Sequence, residues 1–157
     1  MAILNIRKYG DDILRKKCRT VEEITPRILT LLDDMKETLI DSNGVGLAAP
    51  QVGVLKRIVI VDNGEELLEL INPEIVSTEG EQEEIEACLS CPGQWGMVKR
   101  PAKVTVKALD RRGIEKKYTG TGLTARCFCH ELDHLDGVLY IDKAERMLDP
   151  EEVETGD

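Results

Sequence analysis

The stretch His130-Glu131-Leu132-Asp133-His134 contains both histidines of this 157-residue chain. On a helix, the two imidazoles lie one turn apart on the same face, where both can reach one divalent cation. Glu131 then lies beside any water bound to that cation. The pattern favours metal-assisted hydrolysis, although a catalytic metal site also needs a third protein ligand and an open position for water.

The third ligand does not come from a simple extension of the helix. A third histidine of the metzincin type would occupy the position of Tyr140. Cys127 shares the helix face but lies about 10 Å from His134 along the axis, and Cys129 projects about 100° away from His130. A thermolysin-like glutamate is compatible with the spacing, but the five cysteines favour a sulfur ligand. The remaining thiolate candidates are Cys18, Cys88 and Cys91.

Three stretches of the chain resemble the three motifs of the peptide deformylase family, in that family's order. They are GVGLAAPQ at residues 44–51, EACLS at residues 86–90 and the HELDH stretch that starts at His130. Residues 6–10, 51–53 and 137–142 also look like that family, so the resemblance covers nearly the whole chain. Each motif alone is modest evidence, but three unrelated motifs in order are specific.

The resemblance implies a metal centre and an acid–base residue. Cys88, His130 and His134 would bind one divalent ion, Fe²⁺ in the usual native enzyme, which Ni²⁺, Co²⁺ or Zn²⁺ can replace. Glu131 would act first as general base and then as general acid. The resemblance thereby assigns the third ligand, which helix geometry leaves open.

The resemblance also implies a substrate, the N-formylmethionyl end of a newly synthesised bacterial polypeptide, which is hydrolysed to formate and a free N-terminus. Negative charge on the formyl oxygen would be stabilised by the side-chain amide of Gln51 and the backbone N–H of Leu89. The residues expected to bind the methionine end of the substrate are Val45, Gly46, Leu123 and Cys127.

The chain departs from the family pattern at three positions. Ala87 replaces the usual glycine before the ligand cysteine, and it would be strained if that position needs a positive φ. Cys129 replaces the usual glutamine before His130, with an expected effect on packing. Cys91 completes a Cys-x-x-Cys pair with Cys88.

Two other interpretations compete with the deformylase hypothesis. A noncatalytic relative could retain the fold for binding, but a loss of activity would show first at Glu131, which is present together with Gln51 and the ligand set. A structural zinc site of four cysteines would leave the histidines as ordinary helix residues and residues 44–51 unexplained. Its ligands would be Cys88, Cys91, Cys127 and Cys129.

Composition fits a compact intracellular enzyme with one catalytic domain, residues 1–157. The chain is 41% hydrophobic, its N-terminus lacks an extended apolar segment, and no stretch is long enough to span a bilayer. Five cysteines in this context indicate reduced thiols and a cytoplasmic location, and the family resemblance implies a bacterial cell. We expect a monomer without a membrane partner.

The charge of the chain limits its partners. A net charge of −9 argues against a nucleic-acid substrate, because phosphates would be repelled. Residues 142–157 contain seven acidic and two basic residues, so stable ribosome binding stays open and contact is expected to be transient. Residues 145–157 are expected to form an acidic, mobile tail.

Hydrophobic spacing and turn residues predict an α+β fold. An amphipathic N-terminal helix should begin with Thr25 as N-cap and Pro26 at the first helical position, and end near Gly44. Antiparallel or mixed sheets should surround a C-terminal helix, residues 123–135, that carries both histidines and ends before Gly137. The predicted strands are residues 57–61, 67–71, 73–77, 104–108 and 114–118, with a polar loop at residues 79–86.

Overall fold

The computed structural model describes residues 2–148 of the chain. Within these residues, the strands form two antiparallel sheets, one of five strands and one of three. In chain order they are β1 (Gly46–Ala48), β2 (Ile58–Asp62), β3 (Leu67–Glu79), β4 (Gln82–Cys88), β5 (Cys91–Arg100), β6 (Lys103–Leu109), β7 (Glu115–Thr121) and β8 (Ala144–Leu148). The larger sheet has the order β1-β2-β3-β6-β7, and the smaller has the order β4-β5-β8.

Three helices accompany the sheets in the described residues, which together make a small α+β fold. They are α1 (Pro26–Ser42), α2 (Gly122–His134) and α3 (Tyr140–Lys143), with short 3₁₀ turns at Asp12–Arg15 and Ala49–Val52. Both histidines lie on α2. Because α3 and β8 follow it, α2 is not the last element of the fold.

Local sequence explains where α1 begins and ends. The Thr25 side chain accepts a hydrogen bond from the Ile28 N–H at 3.4 Å, and Pro26 occupies the first turn, where its missing N–H costs nothing. Asn43 ends the helix with a φ of 56°, a left-handed conformation that asparagine tolerates. The buried face of α1 consists of Ile28, Leu32, Met35, Thr38 and Leu39.

Strand β2 is buried on both faces and so joins the two main parts of the core. Val59 and Val61 pack in the cluster that contains Phe128 of α2. Ile58 and Ile60 point the other way, into the cluster that contains the apolar face of α1. Helices α1 and α2 therefore cover opposite faces of the larger sheet.

Strand β3 is longer than the sequence predicted, because residues 67–71 and 73–77 form one strand. Asn72 takes a positive φ of 52°, and the register with β6 shifts between Ile71 and Glu74. Such an irregularity accommodates Pro73, which cannot donate a ladder hydrogen bond. The expectation of two separate segments was therefore wrong.

The predicted polar loop at residues 79–86 was also wrong, since residues 82–86 belong to β4. This strand pairs with β5 in antiparallel register, and most of its side chains are exposed or half-buried. The exposed side chains explain the polar composition, because a strand on a solvated sheet does not need an apolar face. Glu86 is the buried exception, with 6% exposure.

The prediction of a mobile tail from residue 145 onward was wrong for residues 145–148. They belong to β8, where Leu148 pairs with Trp95 and Arg146 pairs with Met97 of β5. The remainder of that predicted tail, residues 149–157, lies outside the described residues. None of the helices between residues 2 and 148 has the length and apolar character needed to cross a membrane.

Candidate metal centre

Cys88 and the two histidines meet where the smaller sheet approaches α2. Cys88 ends β4, while His130 and His134 lie one turn apart on the helix. The potential ligand atoms of the three residues lie within 4.8 Å of one another, and Cys88 Sγ is 3.4 Å from His134 Nε2. Of the residues from 2 to 148, these three form the one converging cluster of potential metal ligands.

His130 is held by a buried network of ionic hydrogen bonds. Its Nδ1–H donates to Glu86 Oε1 at 2.9 Å. Arg100 donates from Nε and Nη2 to the two Glu86 oxygens, both at 2.9 Å, and from Nη1 to Asp133 at 2.7 Å. Burial favours a higher pKa for Glu86, but the bonds from His130 and Arg100 outweigh it and lower that pKa to about 2. The network fixes the ring of His130 and leaves Nε2 for a metal.

His134 supplies the second nitrogen of the cluster. It is 1% exposed, and burial, followed by the charges of His130 and Arg100, lowers the pKa of His134 well below its ordinary value. The neutral imidazole that results is the form that binds a metal. Its Nδ1 has no hydrogen-bond partner among the described residues.

Glu131 is buried like the two histidines, but it lacks the hydrogen bonds that Glu86 receives. It is 5% exposed, and its Oε1 makes no hydrogen bond to any residue between 2 and 148. Burial raises the pKa of Glu131 to about 7, with His130 opposing the shift and Glu86 adding to it. A carboxyl group that exchanges a proton near neutral pH is suited to acid–base catalysis.

Gln51 is placed against the cluster by the 3₁₀ turn after β1. Its Oε1 accepts the Ala48 N–H at 2.9 Å, which orients the amide. Its Nε2 donates to Ser90 Oγ at 3.1 Å and toward Cys88 Sγ at 3.5 Å. Leu89 lies in the turn between β4 and β5, next to Cys88. The amide of Gln51 and the backbone of Leu89 are thus both adjacent to the sulfur.

The cluster borders a cleft of about 420 Å³. Val45 and Leu123 are 42% and 53% exposed, so both present apolar surface to solvent. Mostly apolar walls with a few polar groups are typical of ligand sites. All four residues predicted to bind substrate line this cleft, namely Val45, Gly46, Leu123 and Cys127.

Gly46 lies where β1 passes closest to α2. A Cβ atom at residue 46 would be 2.6 Å from Cys127 Sγ and 2.8 Å from Glu131 Oε2. Both distances are shorter than van der Waals contact, so any side chain would displace the carboxylate. Glycine therefore allows the strand to form one wall of the cleft beside Glu131.

The residues present fit a divalent transition metal. One sulfur and two imidazole nitrogens form a three-ligand set that leaves a fourth position open, as in catalytic sites. The Gln51 amide directed at Cys88 Sγ suits a thiolate acceptor. Glu86 supplies the carboxylate partner that ligating histidines usually have.

Two departures from the family pattern find a structural explanation. Ala87 is exposed, and the positive-φ residues other than glycine between residues 2 and 148 are Asn43 and Asn72, so alanine carries no such strain. Cys129 is buried in the core on α2 and does not line the cleft. The four-cysteine interpretation is not supported, because Cys127 and Cys129 lie outside the converging cluster.

Sequence reasoning missed two neighbours of the cluster. Ser90 is fully buried and accepts a hydrogen bond from the Gln51 amide. The ring of Tyr140 stacks on His130 with centroids 5.7 Å apart, and its hydroxyl donates to the Gln94 carbonyl at 2.8 Å. Both residues belong to stretches that carry the resemblance, but no spacing rule connects them with the metal.

Known proteins resemble this chain along nearly its full length. The family model described as Polypeptide deformylase matches residues 3–149. Peptide deformylase from Thermoanaerobacter pseudethanolicus is 60% identical over 154 residues, 98% of this chain and 97% of that protein. A relative from Caldicellulosiruptor bescii with the same name is 55% identical, over 98% of this chain and 93% of its own.

Solved structures agree with the sequence relatives. The crystal structure of a peptide deformylase from Legionella pneumophila is 45% identical, with a TM-score of 0.87 over 96% of this chain and 88% of that chain. One from Synechococcus elongatus, in complex with actinonin, is 39% identical, with a TM-score of 0.88 over 91% of this chain and 79% of its own. The chain therefore belongs to the peptide deformylase family, metal-dependent hydrolases that remove the N-formyl group from newly synthesised polypeptides.

Proposed function

We propose that Cys88, His130 and His134 hold one divalent ion, Fe²⁺ in the native protein, with Ni²⁺, Co²⁺ or Zn²⁺ as substitutes. The convergence of the three ligand atoms within 4.8 Å is the observation that supports this most strongly. When bound, such an ion polarises a carbonyl oxygen and lowers the pKa of water toward about 7. We further propose that the packing of α1 and α2 on the larger sheet is the scaffold for this centre.

Glu131 is the proposed proton carrier of the reaction. Its carboxylate takes a proton from the attacking water and returns it to the leaving amine, which frees the N-terminus. Burial supports this role, because it brings the pKa of Glu131 to about 7. The free Oε1 supports it as well, since an oxygen without a partner among the described residues is available for that proton.

Gln51 and Leu89 are the proposed donors to the formyl oxygen. The Gln51 amide has two hydrogens, of which one is used by Ser90 at 3.1 Å. The amide nitrogen lies 3.5 Å from Cys88 Sγ, and the hydrogen that Ser90 does not use is the one we assign to the oxyanion. Loss of one such preorganised donor typically costs about 10²–10³ in rate.

Val45, Gly46, Leu123 and Cys127 are the proposed binding residues for the methionine end of the substrate. The exposed apolar side chains of Val45 and Leu123 support this role, because a thioether side chain against them would remove that surface from water. Cys127 contributes a buried sulfur that is fixed by a hydrogen bond to the Val45 carbonyl at 3.6 Å. Gly46 keeps the space between them open.

The biological setting is also proposed. Residues 1–157 form one catalytic domain that acts as a monomer in the bacterial cytoplasm on formylated peptides and nascent chains. The bacterial relatives support this location. The net charge of −9 supports transient rather than stable contact with the ribosome and argues against a nucleic-acid substrate.

Metal content and formate release together test the proposed centre. Anaerobically purified wild type, Cys88→Ala and Glu131→Gln are compared on a formyl-Met peptide, with Glu84→Gln as an exposed glutamate control on β4. Wild type and Glu84→Gln should hold one metal ion per chain and release formate. Cys88→Ala should lose both properties, and Glu131→Gln should keep the metal and lose turnover. Full metal retention in Cys88→Ala, or normal turnover in Glu131→Gln, would overturn the assignment.

A further inference from the structure

Cys91 is a buried thiol that the proposed function does not use. It is 1% exposed and begins β5, directly after the two-residue turn that follows Cys88. Cys88 packs against the same apolar cluster. The other buried members of that cluster are Leu14, Val98, Leu139 and Tyr140.

The hairpin places Cys88 and Cys91 directly opposite each other. They are register partners of the antiparallel β4–β5 pair, and their side chains therefore share one face. Opposite Cα atoms in such a pair are about 4.5–5.5 Å apart, within the range of roughly 4.4–6.8 Å that a disulfide requires.

Cys88 and Cys91 both line the substrate cleft. Cys88 is half-buried and Cys91 is 1% exposed, so a small oxidant in the cleft meets Cys88 before Cys91. Cys127 also lines the cleft, but its Sγ is directed at the Val45 carbonyl, 3.6 Å away. Cys18 and Cys129 are buried in the core cluster that contains Phe128, and neither residue lines the cleft.

We propose that Cys88 and Cys91 are a redox modification site, which closes to a reversible intramolecular disulfide when the chain meets a hydroperoxide. In the disulfide, Cys88 no longer offers a thiolate, so the three-ligand cluster loses its sulfur. The disulfide itself follows from the hairpin geometry. The consequence for metal binding rests on the proposed function, because it needs Cys88 as a ligand.

The chemistry needs hydrogen peroxide as its only co-reactant. The Cys88 sulfur attacks one peroxide oxygen, the O–O bond breaks, and Cys88 sulfenic acid and one water form. The Cys91 sulfur then attacks the sulfenic sulfur, and a second water leaves with the Cys91 proton. In total, two thiols are oxidised by two electrons and one peroxide is reduced to two waters.

A nearby second thiol changes the fate of an oxidised ligand cysteine. Without Cys91, a sulfenic acid at Cys88 can be oxidised further to sulfinic and sulfonic acids, which reducing agents do not reverse. With Cys91 opposite, the disulfide stops that sequence at a stage that a thiol reductant restores. The site is therefore expected to protect the metal ligand from permanent loss.

Mass spectrometry of zinc-loaded protein treated with hydrogen peroxide tests the proposal, because zinc has no redox chemistry of its own. The mass of wild type should fall by two hydrogens, and the number of its thiols that react with an alkylating agent after denaturation should fall from five to three. Dithiothreitol should restore the mass and the thiol count. Fragmentation of the peptide that holds both residues should locate the bond. Cys91→Val, similar in size but without a thiol, should instead accumulate oxygen on Cys88 that dithiothreitol does not remove. Cys129→Ser, the matched control, should behave as wild type.

Measurement of the zinc released during the same treatment tests the effect on metal binding. It distinguishes a failure of the disulfide proposal from a failure of the proposed ligand role of Cys88. Loss of zinc in step with the disulfide, and its rebinding after reduction, are the expected results. A disulfide that forms without zinc release would refute the effect on metal and the ligand role of Cys88 together. Oxygen adducts that accumulate equally in wild type and Cys91→Val, or a bond from Cys88 to Cys127, would overturn the disulfide assignment itself.

Discussion

Two buried glutamates lie on either side of His130 and have opposite surroundings. Glu86 is 6% exposed and accepts three hydrogen bonds, two from Arg100 and one from His130. Glu131 is 5% exposed, and its Oε1 has no partner in the part of the chain that the structure describes. The pKa of Glu86 falls to about 2, because those bonds outweigh burial, whereas burial raises the pKa of Glu131 to about 7.

The contrast shows that hydrogen-bond donors, together with burial, set the pKa values of the two carboxyl groups. Both residues are buried, so desolvation alone would raise both pKa values. Ionic hydrogen bonds keep Glu86 charged, and a fixed charge orients His130. The absence of such bonds lets Glu131 take up and release a proton.

Removal of the donors from Glu86 should have the largest effect on stability. Arg100→Met leaves Glu86 as a buried charge with one remaining partner, and we expect the free energy of unfolding to fall by about 3–5 kcal/mol. Urea unfolding measures this change. Arg111→Met, at an arginine whose side chain is 35% exposed, is the matched control and should lower the free energy of unfolding less. An equal fall in the free energy of unfolding of the two variants would show that the burial of Arg100 and Glu86 does not increase the cost.

Loss of the charge on Glu86 should weaken metal binding. Glu86→Gln keeps the shape of the side chain but gives His130 a weaker acceptor, so metal affinity should fall by about 10–100-fold. Competition with a chromogenic chelator measures the affinity. Unchanged affinity would show that His130 does not depend on this partner.

A methyl group at residue 46 should disturb Glu131 without touching Glu86. In Gly46→Ala the new Cβ meets Glu131 Oε2 and Cys127 Sγ, and overpacking of this kind costs about 1–3 kcal/mol. We expect kcat to fall at least tenfold, with metal content unchanged. The pair Gly46→Ala/Cys127→Ala, which relieves one of the two contacts, should recover part of the stability. A fully active Gly46→Ala would show that Glu131 has room to move.

Glu69, outside the metal centre, also has burial and hydrogen-bond donors acting in opposite directions on its pKa. The expected effect on the free energy of unfolding is smaller there. Burial opposes ionisation, but hydrogen bonds from Arg111 and Lys36 lower the pKa of Glu69 below its ordinary value. A lowered folded-state pKa stabilises the fold above the unfolded pKa, and this contribution disappears as pH falls through the folded one. Glu69→Gln should cost about 1–2 kcal/mol at pH 7 and nothing below both pKa values.

Urea unfolding of wild type and Glu69→Gln across the acid pH range tests whether the stability difference between them disappears as pH falls. Glu74→Gln is the control, because its ion pair with Lys107 spans 3.5 Å at an exposed site and should matter less. A Glu69→Gln difference that grows toward acid pH would contradict the account.

Local sequence predicts part of this site, and the rest depends on the complete fold. The four-residue spacing of His130 and His134 is a property of one helix, so it indicates a shared metal before any fold is known. The position of Cys88 depends on the β4–β5 hairpin, and its assignment as a ligand came from the motif resemblance rather than from spacing. Exposed charges along β4 made the strand look like a loop, because solvated strands carry no apolar signal.

Burial of a charged residue is harder still to predict. Glu86 begins the EACLS stretch, but its residue type and spacing do not distinguish its burial from that of the glutamates at residues 83 and 84, which are exposed on the same strand. Its environment is made by Arg100 on β5 and His130 on α2, which are brought together only by the complete fold. Opposite pKa shifts in two similar glutamates are therefore a tertiary property.

Carbon-13 NMR of glutamate side-chain carboxyls in chelator-treated protein tests the central contrast most directly, with Glu86→Gln and Glu131→Gln to assign the two signals. The Glu131 signal is expected to titrate with a pKa of about 7, while the Glu86 carboxyl stays ionised down to a pKa of about 2. Titration of both signals near the ordinary glutamate value of about 4.3, or in the reverse order, would contradict it.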